Sequence, residues 1–90
     1  MQYEITHTWA GPDNRTIKKR KDAASLAFRQ MVREAVAGYA GLDTAWGWNA
    51  YRTSVRIAAD IERGVDLPFA ASVTLPVHCG SETISIRVSA

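Results

Sequence analysis

Across residues 22–40, Ala24, Ala27, Phe28, Met31, Val32, Ala35 and Tyr39 gather on one side of a helical projection, with Arg29, Gln30, Arg33 and Ala37 opposite. This spacing predicts an amphipathic helix with a core-facing stripe and a wet back. Asp22 is placed to cap its first turn and Gly41 to end it, since glycine tolerates positive φ. Leu26 falls on the polar side and Gly38 interrupts the last turn, so the stripe is imperfect. Before the helix, residues 2–9 alternate. Tyr3, Ile5, His7 and Trp9 take one side and Gln2, Glu4, Thr6 and Thr8 the other, the pattern of a half-buried strand. The turn residues of 11–14 then let 15–20 return as a second strand with Ile17 inward.

Residues 41–49, with Trp46 and Trp48 flanking Gly47, show no period and are expected to form a loop. Residues 50–63 fit two patterns. Tyr51, Thr53, Val55, Ile57, Ala59 and Ile61 alternate as in a strand, while Ala50, Ser54, Ile57, Ala58 and Ile61 cluster at helical spacing. A strand of that length would far exceed the usual ~5–6 residues, and Asn49 and Gly64 sit where caps belong, so a second helix is expected. Pro68 excludes helix at Leu67. Two closing strands follow, one carrying Ala71, Val73, Leu75 and Val77 and the other Ile84, Ile86 and Val88, joined by a hairpin loop at 78–82. Pro76 cannot donate to a ladder and marks its strand as an edge or a bulge. The expected fold is a single α+β domain over 1–90, an antiparallel sheet packed against the long helix in ββααββ order. An extended 50–63 would give one helix with five strands instead.

Charge adds one local feature. The net charge of +2 conceals a basic run, Arg15, Lys18, Lys19, Arg20 and Lys21, which holds five of the eleven positive residues and leaves six basic against nine acidic elsewhere. The run suits either a nucleic-acid backbone or a returning strand whose lysines discourage edge pairing. Cys79 is the only cysteine, so no disulfide forms within the chain, and a reducing cytoplasm is the expected setting. The first residues lack a signal-peptide pattern, and no apolar run approaches the ~20 residues that cross a bilayer.

Candidate chemistry is sparse. His7, His78 and Cys79 lack zinc-site spacing, so no metal and no cofactor is expected. Cys79 with a histidine is the only nucleophile–base pair, and a small enzyme built on it is the third reading. Glu34, Asp43, Asp60, Glu62 and Asp66 read as solvating charges, and no glycine pattern builds a phosphate loop. Aromatic residues offer more. Trp46 and Trp48 either close the core or, with Tyr51, Arg52 and Arg56, anchor a binding surface rich in the residue types that dominate hot spots.

In size and style the whole chain resembles the small phage-encoded inhibitors, anti-CRISPR proteins among them, a class with no common fold. The resemblance carries over no residue. It implies a non-enzymatic module in the host cytoplasm that blocks a larger protein or nucleoprotein complex stoichiometrically. Nucleic-acid binding through residues 15–21 is the alternative. An exposed edge strand, the one with Pro76 or the last, would also serve a homodimer.

Overall fold

The computed structural model describes residues 1–8, 14–39, 44–77 and 80–90, with 39, 76, 77, 80 and 81 taken for their backbone alone. Six elements follow in the order β1 (Gln2–Thr8), β2 (Asn14–Lys18), α1 (Lys21–Tyr39), α2 (Ala45–Arg63), β3 (Phe69–Val77) and β4 (Gly80–Ser89). This is the expected ββααββ succession and an α+β fold. The four strands form one antiparallel sheet in the order β2-β1-β4-β3, so β2 and β3 are its edges. Placing β3 at an edge accords with Pro76, which has no N–H to give a second neighbour. The expected turn at 11–13, the helix stop at Gly41, and Trp9, His78 and Cys79 lie outside the described residues.

Strand alternation explains the layers. Tyr3 and Ile5 of β1, Ile84, Ile86 and Val88 of β4, and Val73 and Leu75 of β3 share one buried face, and α1 lays Ala24, Phe28, Val32, Ala35 and Val36 on the same core. Ala27 and Met31 pack at its margin, and Leu26 is exposed, as its place on the polar side requires. The opposite sheet face is uncovered and carries mostly polar and charged side chains, with Thr74 and Thr83 hydroxyls in contact across β3 and β4 at 3.3 Å.

Four expectations need correction. Ile17 does not point inward: it stands opposite Glu4, while Thr16 faces Ile5, so the register turns Ile17 to the uncovered face, where it is 46% exposed. Asp22 does not cap α1 but lies within its first turn, because the Arg20 carbonyl already accepts from the Ala24 N–H. The second helix starts five residues before 50. Residues 45–49 belong to the start of the helix and not to a loop, and Thr44 replaces Asn49 as the cap, its hydroxyl accepting from the Gly47 N–H at 3.2 Å. Glu82 belongs to β4 and not to the hairpin loop. Gly64 ends α2 as expected, at φ 105°, a backbone region that side chains with a Cβ rarely adopt.

Candidate functional site

Three directions around α2 define what it offers. Ser54 and Ala58 face α1, where the Ser25 hydroxyl donates to the Ala58 carbonyl at 3.1 Å. Ile57 and Ile61 enter the core above the sheet, with Trp46 and Ala50 packed beside them. The remaining arc points to solvent. It carries Trp48, 48% exposed, and Val55, 38% exposed, together with Arg52 and Arg56. Trp48, Arg52 and Val55 recur at helical spacing, with half-buried Tyr51 flanking them toward α1. The rings of Trp48 and Tyr51 stand 6.2 Å apart at 39°, a tilted aromatic contact along the helix surface.

The two tryptophans therefore part company. Trp46 packs on the core and is withdrawn from the expected binding set, while Trp48, Tyr51, Arg52 and Arg56 remain together on one helix. Two positions apart on a helix means about 200° of rotation, so both indoles cannot face the same way. Beside this set, Asn49, Arg52, Thr53 and Arg56 line a surface depression of about 340 Å³. Thr53 is tied to the helix, its hydroxyl donating to the Asn49 carbonyl at 2.8 Å. Among the described residues, neither Arg52 nor Arg56 pairs with a carboxylate, and the nearby Asp60 is engaged by Arg63. The depression is thus cationic and lined by donors that suit carboxylate or phosphate oxygens.

The basic run is dispersed by comparison. Its residues fall on β2, on the turn at 19–20 and at the first position of α1. Arg15 meets Glu4 at 3.7 Å, Lys19 donates to Gln2 Oε1 at 3.2 Å, and Arg20 meets Asp22 at 2.8 Å. Lys18, opposite Tyr3, is on the helix side of the sheet, whereas Arg15, opposite Thr6, is on the uncovered side. Arg15 and Lys18 therefore stand on opposite faces of the sheet. Asp22 has its carboxyl held below the usual value of 3.8, first by the Ala23 backbone N–H and further by the Arg20 guanidinium.

One buried polar contact escaped the sequence reading. His7 Nε2 meets Glu82 Oε1 on the helix side of the sheet, where Glu82 is 4% exposed and its Oε2 has no partner among the described residues. A signal for it exists in the chain: His7 has the parity of Tyr3 and Ile5, and Glu82 that of Ile84 and Ile86. Among the described residues, no group of three or more His, Cys, Asp or Glu side chains converges on a metal position, and no helix is long and apolar enough to cross a membrane. Compared with protein-family models, curated proteins and solved structures, the chain finds no match.

Proposed function

We propose that this protein is a binding module that acts by occupying the surface of a larger protein or nucleoprotein complex, with the outward arc of α2 as its contact element. The observation that carries the reading is Trp48, a half-exposed indole in contact with Tyr51 and flanked by Arg52 and Arg56, neither of which has a carboxylate partner among the described residues. Exposing an indole has no folding benefit, whereas tryptophan, tyrosine and arginine are the residues that dominate interface energetics. Stoichiometric blocking is the mode of the small phage-encoded inhibitors that the chain resembles in size and style. In this reading the module works in a reducing cytoplasm, and its single cysteine needs no partner.

A photo-cross-linking residue introduced at Val55, compared with one at Ser72 on the uncovered sheet face, tests the proposal in cells that express the protein. One dominant adduct of fixed mass from Val55, lost in a Trp48→Ala background whose thermal melt is unchanged, is the expected result. An adduct only from Ser72, or adducts unaffected by Trp48→Ala, would overturn it. Salt-sensitive binding of DNA or RNA through Lys18, Lys19 and Arg20 would replace it with the nucleic-acid reading.

A further inference from the structure

The two sheet edges differ in how they are protected. β2 is five residues long and bears Arg15 and Lys18. β3 is nine residues long, FAASVTLPV, and carries no charge at all. Charged residues and short length are the usual means of keeping an edge from pairing with another chain, and β3 uses neither. Within the strand itself the obstacle is Pro76, next to its end, which leaves the main chain from Phe69 to Leu75 able to form a further ladder.

The surroundings of that edge specify what would pair with it. Among the described residues α2 packs closely against one strand, β3, and on its inner side it packs on α1 through Ser54 and Ala58. The side of α2 turned away from α1 therefore overhangs the outer margin of β3, and by helical geometry that side is Asn49, Thr53, Arg56 and Asp60, with Arg52 adjoining and the Asp60 carboxylate already engaged by Arg63. Asn49, Arg52, Thr53 and Arg56 line the cationic depression. A second copy of this chain paired edge to edge would bring Arg52 and Arg56 against their own counterparts, and like charges so placed are repulsive. A strand bearing carboxylates meets the opposite situation. Acidic side chains two residues apart on one face of a strand are separated by about 6.6 Å, close to the spacing of about 5–6 Å between side chains one helical turn apart.

We propose that β3 is a strand-acceptor edge for an extended acidic segment of the partner protein, which adds a fifth strand through main-chain hydrogen bonds and sets alternate carboxylates on Arg52 and Arg56. This rests on the protein-binding reading and names the chemistry of the partner. Main-chain pairing supplies affinity that tolerates sequence, and the arginines select for acid.

The probe is the acetylated, amidated peptide (Val-Glu)4, with (Val-Lys)4 as its counterpart, titrated into the intact protein labelled for NMR. The expected result is saturable shifts of the β3 amides from Ala70 to Thr74 and of the Arg52 and Arg56 guanidinium signals, with (Val-Lys)4 at least tenfold weaker. The double variant Arg52→Glu/Arg56→Glu, its fold checked by its own spectrum, should reverse that preference. Equal binding of the two peptides, shifts on β2 in place of β3, no shifts at millimolar peptide, or a dimer formed through β3 would each overturn the inference. Trp48→Ala separates the two proposals. A variant that loses its cross-linked partner while no peptide reaches β3 keeps the binding face and removes the strand acceptor. If the partner adduct is unaffected by Trp48→Ala but the acidic peptide still occupies β3, the Trp48 reading fails instead.

Discussion

The two helices have the same length, nineteen residues each, and opposite uses. α1 commits Phe28, Val32 and Val36 to the core at full burial and, among its described side chains, leaves Leu26 as the one large exposed apolar residue. α2 buries mostly small groups toward its neighbours, Gly47, Ser54 and Ala58, with Ile57 and Ile61 as its only large buried aliphatics, and leaves Trp48 and Val55 outside. A helix that organises a core needs bulk on its inner face. One that lies at the margin, packed by small residues and a serine hydrogen bond, is free to carry bulk outward. The difference teaches that the apolar content of a helix says little about its role until the direction of each side chain is known.

That contrast can be broken most forcefully at Phe28. Phe28→Ala should cost about 3–5 kcal/mol in denaturant unfolding, because a fully buried ring is removed from beneath α1. A loss below about 1 kcal/mol would mean that α1 is not the organiser. Within the same buried layer, His7→Ala leaves the Glu82 carboxyl buried without its partner and should cost about 3 kcal/mol. The double variant His7→Leu/Glu82→Leu should regain most of that loss, as replacement of a buried polar pair by aliphatic groups commonly does. Failure of the double variant to recover would assign the pair a packing role that leucine cannot fill.

Smaller effects sharpen the α2 side. Thr44→Ala removes the hydroxyl that accepts from the Gly47 N–H and should cost about 1 kcal/mol, fraying the turn that holds Trp48, with a fall in helical circular dichroism as the readout. Trp48→Ala and Leu26→Ser each remove an exposed apolar side chain and should change stability by less than about 1 kcal/mol. Only the first should abolish the Val55 cross-link. Loss with both would show that the contact surface spans the two helices.

The least change is expected at Asp22. Its folded-state pKa is lowered, so its carboxylate favours the fold above the ordinary value of 3.8 and loses that contribution as pH falls through the folded-state value. Asp22→Asn should therefore be slightly less stable than the parent at neutral pH and converge with it in acid. A gap that persists at the lowest pH would point to a role other than charge.

Much of the architecture was legible in the chain. The α+β class, the ββααββ order, the buried stripe of α1 and the apolar rows of β3 and β4 follow from periods of 3.6 and 2, which are properties of neighbouring residues. Of the expected site, Trp48, Tyr51, Arg52 and Arg56 do share one helix, though the chain placed the first of them in a loop. Trp-Gly-Trp has poor local helix propensity, and only the packing of Trp46 on a core assembled from distant strands, with the Thr44 cap, extends α2 across it. The same limit applies to Ile17, whose direction depends on its pairing with Glu4, and to His7 and Glu82, seventy-five residues apart, which meet because β1 and β4 are neighbours. Sequence thus determined the order of helices and strands and the apolar faces of β1, α1, β3 and β4, because those are local matters of period and propensity. Pro76 already marked β3 as an edge or a bulge, but tertiary structure alone decided that this uncharged edge lies beside an arginine-bearing helix, because strand order and helix placement arise from contacts between parts of the chain that carry no local record of one another.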